Sequence, residues 1–238
     1  MRQLVTRLDR WLYPDHTSNW DDTLFREHVL GVLTGKEVML DLGAGAGIVT
    51  AMNFRGKAAR VCGIDPDPRV LQNSFLDEAK LGTGDAIDFP DSSFDVVIAD
   101  NVLEHLENPE RTFAEIHRVL KVDGRFLFKT PNRFHYMPLI SAMTPTAFHK
   151  MFNKLRGREG EDTFQTFYRA NSEHQINALA ATTGFSVADL QLIEGRPEYL
   201  RFSAVTYPFG WAYERIVNSS ALFSHLRILL IGDLVKIG

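Results

Sequence analysis

The chain has 238 residues, 45% of them apolar and 24% charged, which suits one large soluble domain or a domain with a substantial insertion. A formal charge of −4 gives no general reason to expect a nucleic-acid partner. The single cysteine, Cys62, excludes an internal disulfide and a multi-thiolate metal site, and points to a reducing, cytoplasmic home.

In chain order, the N-terminus MRQLVTRLDRWLYPD interleaves charges with apolar residues and lacks the apolar core of a signal peptide. Residues 36–42 and 59–64 read as buried strands, with Cys62 an inert thiol inside the second. The spacing predicts a helix over 67–79, a strand over 93–99, a helix over 108–120 opened by Pro109, and a strand over 124–130. Residues 132–170 break the rhythm with Pro138, Pro145, Gly157 and Gly160, and read as an insertion of short helices. A helix over 172–183, opened by Ser172 and closed by Gly184, precedes a strand over 185–193. A helix over 208–218 and a last strand over 226–236 complete the chain. Strands joined by crossover helices imply an α/β fold with a mostly parallel sheet covered on both faces. No stretch approaches the roughly 18 apolar residues of a membrane span; the nearest, 228–231, is broken at once by Gly232 and Asp233.

Ligands in such sheets bind beyond the carboxyl ends of the strands. This directs attention to residues 41–47, Asp65 and Pro66, Asp100 and Asn101, and Pro131 and Asn132. The first of these is DLGAGAG. A phosphate-binding loop would need Gly-Lys-Ser/Thr after Gly47, which is absent. A dinucleotide fingerprint would need a third small residue at 48, where the chain has Ile48.

Asp41-Leu42-Gly43-Ala44-Gly45-Ala46-Gly47, followed by GIDPD at 63–67 and by the stretch from GDAIDFPD to FKTPN at 84–132, resembles the class I S-adenosylmethionine-dependent methyltransferases. The resemblance implies a doubly wound, Rossmann-like sheet of seven strands with a helical insertion after the fifth. As one domain, it would comprise an N-terminal helical lid at 1–35, a cofactor-binding half at 36–132, an acceptor-side insertion at 133–170 and the rest of the sheet at 171–238.

It also implies S-adenosylmethionine as cofactor. Gly43, Ala44, Gly45 and Gly47 would let it approach the backbone, where a Cβ would collide. Asp41 would orient the methionyl ammonium, and Asp65, beside Pro66, would accept from the ribose hydroxyls. Asp85 and the Ala86 amide would meet the adenine, with Asn101 and Val102 along the methionyl chain. The alternatives are that Asp65 only caps a helix before Asp67 and that Asp85 only forms a turn.

His105 in NVLEHLEN is the candidate general base, and Glu104-His105 resembles a pair in quinone-biosynthesis O-methyltransferases. The alternative is a histidine that packs or caps its loop. Asp100 and Asn132 follow the fourth and fifth strands, but a second acid is missing, so no metal is expected. Tyr13, Trp20, Arg133, His135 and Tyr136 are candidate acceptor contacts, with His149 and Lys150 further along the insertion. The expected acceptor is a small molecule or glycan bearing a hydroxyl. A quinone or lipid acceptor is the alternative, met at a peripheral membrane contact made by Met143, Phe148 and the tail 222–237. A non-catalytic cofactor-binding module is the third reading. The chain would be a monomer or homodimer.

Overall fold

The computed structural model describes residues 2–14, 16, 19–138 and 164–238. Met143, Phe148, His149 and Lys150 lie outside them. The chain divides into two compact units. A sheet unit comprises 22–130, 166–191 and 230–238, and a helical unit comprises 1–21, 131–165 and 192–229.

Seven strands run in the order β3-β2-β1-β4-β5-β7-β6. They are β1 (Val38–Leu42), β2 (Arg60–Asp65), β3 (Glu78–Leu81), β4 (Phe94–Asp100), β5 (Leu120–Pro131), β6 (Phe185–Ile193) and β7 (Leu229–Lys236). β1 is parallel to both β2 and β4, with Asp41 opposite Gly63 and Ile98. Its apolar side chains Met39, Leu40 and Leu42 are buried, as a strand sandwiched on both faces requires. β7 returns antiparallel beside β5: the Asn132 amide after β5 donates to Ile228 O just before β7, at 2.6 Å.

Helix α3 (Pro109–Val119) follows the expected signals. Asn108 accepts from the Arg111 amide, Pro109 occupies the first turn, and Phe113, Ile116 and Val119 are buried. Helix α4 (Glu173–Thr183) starts at Ser172, whose hydroxyl accepts from the Gln175 amide, and stops at Gly184 with φ +84°. Phe113 links α3 to the sheet, its ring centroid 5.4 Å from that of Phe126 in β5 and 6.4 Å from that of Phe185 in β6.

Two expectations need correction. The helix over 67–79 is a 3-10 turn at Pro68–Gln72 followed by strand β3. Val70, Leu71, Phe75 and Leu76 do recur at helical spacing. However, β3 is held by its parallel pairing to β2, from Cys62 opposite Glu78 to Asp65 opposite Leu81, and local spacing cannot report such a pairing. The crossovers from β1 to β2 and from β2 to β3 are built on 3-10 turns rather than α-helices, so helical cover of that half is thinner than expected.

The tail is divided: Leu222 and Ile237 are exposed. Residues Leu229 to Leu234 are buried in β7. The Gly232-Asp233 break is explained by packing: a Cβ at Gly232 would stand 2.2 Å from the Phe128 ring, and Asp233 pairs with Arg125 at 3.0 Å.

In the helical unit, α1 (Arg2–Leu12) packs Val5, Leu8 and Leu12 with Tyr13, Ala204 and Tyr207, the last being the first residue of α5 (Tyr207–Asn218). Helix α2 (Trp20–Leu30) begins at the unit boundary and buries Phe25 and Val29. Among the described residues, no helix is long and apolar enough to cross a membrane.

Candidate functional site

The loop after β1 holds Gly43, Gly45 and Gly47 at φ +78°, +52° and +69°, a region that favours glycine. The three serve different ends. A Cβ at Gly43 would meet Val102 Cγ2 at 2.4 Å, and one at Gly47 would meet Asn73 Oδ1 at 2.2 Å. Those glycines make room for protein. A Cβ at Gly45 would meet nothing within 4 Å, so of the three only Gly45 points its missing side chain into open space.

Asn73 pins the loop. Its Nδ2 donates to Ala44 O at 2.9 Å and Gly45 O at 3.2 Å, while its Oδ1 accepts from the Phe75 amide. The sequence reading missed this residue, because an asparagine in a polar turn carries no local sign of a partner nearly thirty residues upstream.

Asp65, ending β2, accepts from the Gly45 amide at 2.9 Å and, with its other oxygen, from the Asp67 amide at 2.7 Å. It is therefore a cap and a loop anchor together. Each carboxylate oxygen has a second lone pair to offer, so capping leaves it capacity for a ligand's hydroxyls. Asp41 is buried in β1, and burial, with the charges of Asp100 and Asp65, pushes its carboxyl up to about 8. At neutral pH it is mostly protonated, ready to ionise beside an arriving cation. Asp85 accepts from Thr83 Oγ1 at 2.6 Å, and the Ala86 amide closes the same turn onto Thr83 O at 3.2 Å.

β4 ends in Asp100, followed by Asn101 at φ +54° and the 3-10 turn Leu103–His105. Glu104 is buried and held in place: Thr130 Oγ1 donates to it at 2.9 Å, and Asn171 Nδ2 donates to that hydroxyl at 2.7 Å. Burial pushes the Glu104 carboxyl up, while the neighbouring His105 charge and the Thr130 hydrogen bond oppose this. His105 Nε2 lies 4.0 Å from Glu104 Oε1, beyond direct hydrogen-bond reach, and its side chain remains 30% exposed.

A second feature unforeseen from the sequence is Lys129. It is fully buried, with Nζ 2.5 Å from Asp22 of α2 and 3.0 Å from Asp100. The sign was present in the sequence: a charge inside the strand pattern GRFLFKT demands a buried partner. Asp100, weighed as a metal ligand, instead accepts from Lys129 and from Asn101 Nδ2. Asn132 donates to His225 O and Arg227 O and is likewise committed to the fold.

The acceptor candidates belong to the helical unit and differ among themselves. Tyr13 is buried and donates to Glu214 at 2.9 Å. His135, read from sequence as an acceptor contact, is 1% exposed and packed among Tyr136, Tyr199 and Tyr213. Burial pushes His135 down to about 3 and Glu194, 3.7 Å away, up to about 8, so the two meet as neutral groups rather than an ion pair. These two candidates are interior side chains. Arg133 is exposed, and Trp20 and Tyr136 are half-buried.

The open space at Gly45, with Asp65 beside it and Asp41 behind in β1, suits a ligand that combines a cationic amine with hydroxyl donors, as S-adenosylmethionine does. A family model described as "Methyltransferase domain" matches residues 40–128. An uncharacterised methyltransferase of Bacillus subtilis, YcgJ, is 34% identical over 109 residues, covering 42% of this chain and 41% of its own. The chain thus spans less than half the length of the first curated relatives it matches. A ubiquinone biosynthesis O-methyltransferase of Pseudomonas putida is 30% identical over 169 residues, 66% of this chain and 68% of that protein. Among solved structures, the [4+2]-cyclase SpnF superposes with a TM-score of 0.58 at 19% identity, over 91% of this chain and 82% of its own. That likeness establishes the fold.

Proposed function

The chain belongs to the class I S-adenosylmethionine-dependent methyltransferases, and on that premise we propose that it methylates a hydroxyl oxygen of a small-molecule or glycan acceptor. When bound, the cofactor supplies a methyl group on a sulfonium centre. On this reading Asp41 holds the methionyl ammonium, Asp65 the ribose hydroxyls, and Asp85 with Ala86 the adenine. Gly43, Ala44, Gly45, Gly47, Pro66, Asn101 and Val102 line the remainder. His105 removes the acceptor's proton.

The observation that carries the reading is the arrangement at His105. A partly exposed imidazole stands just beyond the strand that ends the cofactor site, and a buried carboxyl fixed by Thr130 lies 4.0 Å away. Positive charge on His105 favours ionised Glu104 and opposes the effect of its burial. Trp20, Arg133 and Tyr136 are the residues to which we assign acceptor selection.

The direct test incubates the protein with acceptor extracts and methyl-labelled S-adenosylmethionine, and identifies the labelled product by mass spectrometry. A label on nitrogen would overturn the hydroxyl reading. His105→Ala should lower turnover about a hundredfold or more, the usual worth of a general base, with cofactor affinity nearly unchanged. The rising limb of the wild-type pH–rate profile should vanish with it. Near-normal turnover and an unaltered profile would remove His105 from the mechanism.

A quinone or lipid acceptor is the second reading, favoured by the relative named for ubiquinone biosynthesis. A non-catalytic module remains the third, since the cyclase SpnF illustrates that this fold does not by itself fix the reaction. Labelled quinone in the same assay would select the second reading. Tight cofactor binding with no labelled product from any extract would select the third.

A further inference from the structure

Helix α1 reads RQLVTRLDRWL, and its sides have opposite fates. Val5, Leu8 and Leu12 are packed inward, and Asp9 is turned to Arg201 and Tyr207. Leu4 and Trp11, two turns apart on one line of the helix, are 52% and 77% exposed. Arg7 and Arg10 are exposed beside them. Helix α5 repeats the pattern. Tyr207, Gly210, Glu214 and Val217 are buried, whereas Phe209 and Ile216, again two turns apart, are 71% and 55% exposed. Arg215 joins the two helices, its guanidinium carbon 5.9 Å from the ring centroids of both Tyr13 and Trp211.

Charge is segregated with the same polarity. Residues 2–14 and 199–226 contain five arginines and two acids, Asp9 and Glu214. Both acids face protein: Asp9 pairs with Arg201, and Glu214 accepts from Tyr13 and Asn218. Arg7 and Arg10 face solvent, and Arg215 is exposed with its Nε 3.3 Å from Glu214. A chain of net charge −4 thus turns a basic face outward here, set with large apolar side chains.

We propose that the outer sides of α1 and α5 dock on an anionic lipid bilayer, with α1 lying in the headgroup plane. Arginines there meet lipid phosphates, and Trp11 and Leu4 enter the acyl boundary, the arrangement favoured by interfacial amphipathic helices. An acidic peptide would satisfy the arginines but not four bulky apolar side chains. A second copy would bring like charges face to face. The inference stands on this surface alone and does not depend on which acceptor is methylated.

The test is flotation of the full chain with phosphatidylcholine vesicles, with and without phosphatidylglycerol, at low and high salt. Binding should require phosphatidylglycerol and fall as salt rises. Replacing Arg7 and Arg10 together by Ala should weaken partitioning about fivefold per arginine. Trp11→Glu should weaken it at least tenfold while the circular dichroism spectrum is unchanged, because Trp11 is a surface side chain. No flotation with phosphatidylglycerol at low salt, equal binding to both vesicles, or full binding by the variants would each overturn the proposal. So would light scattering that finds a lipid-free dimer dissociated by Trp11→Glu, which would assign the face to self-association. Flotation reads no turnover, so its failure is distinguishable from failure of the methyl-transfer reading.

Discussion

The two units hold their polar groups over very different chain distances. In the sheet unit, Gly45 and Asp65 are 20 residues apart, and Asn73 reaches back 28 and 29 residues to the glycine loop. In the helical unit, Tyr13 and Glu214 are separated by 201 residues, and Asp9 and Arg201 by 192. The first kind of site is assembled within consecutive strand-and-turn units and leaves a compact motif. The second depends on two ends of the chain meeting, and its residues look locally like ordinary helix.

Within the sheet unit Lys129, like Arg125 with Asp233, departs from this pattern, since its partner Asp22 lies 107 residues away. Breaking it should therefore have the largest effect. Lys129→Met should destabilise the fold by about 3 kcal/mol in urea unfolding, because it strands two partly buried carboxylates. Adding Asp22→Asn should recover part of the loss. A change under about 1 kcal/mol would show that Lys129 does not clamp α2 to the end of β4.

The glycines sharpen the contrast between holding the fold and holding a ligand. Gly47→Ala should cost about 2–4 kcal/mol of stability, from a left-handed backbone and a displaced Asn73. Gly45→Ala should cost about half as much and yet weaken S-adenosylmethionine binding at least tenfold by calorimetry, because its methyl enters open space. Equal destabilisation by the two, with cofactor affinity intact, would sink the assignment of that space to the ligand.

In the sheet unit, Asp41 sets opposite pH dependences for binding and stability. Its carboxyl, pushed up to about 8, must ionise to hold an ammonium. Cofactor affinity should therefore rise about tenfold between pH 7 and pH 9, with protons released on binding. Asp41→Asn should flatten that dependence. The sign for stability is opposite. The folded, ligand-free chain keeps a proton that the unfolded chain releases near 4, so Asp41 subtracts stability as pH rises from about 4 to about 8. Asp41→Asn should consequently raise the melting temperature at pH 8. A flat wild-type affinity profile would show that Asp41 does not meet the cofactor's cation.

The smallest effect belongs to the exposed side of the helical unit. Arg133→Ala or Tyr136→Ala should raise the acceptor's KM about threefold to tenfold, with cofactor affinity nearly unchanged. A parallel fall in both would make these residues structural.

Much of the sheet unit could be read before its structure. Ser172 and Gly184 bound α4, Asn108 and Pro109 open α3, and the apolar runs of β1, β2 and β4 carry their own signal. Glycines at 43, 45 and 47 marked the site, although the sequence could not divide them between ligand and packing. Caps and turns are decided within a few residues, so the local order of residues determines them. β3, Asn73, the buried Lys129 pair and the neutral His135–Glu194 contact were decided only in three dimensions. Each rests on a partner distant in the chain, and burial, which shifts protonation and demands pairing, is a property of the packed molecule rather than of any local stretch.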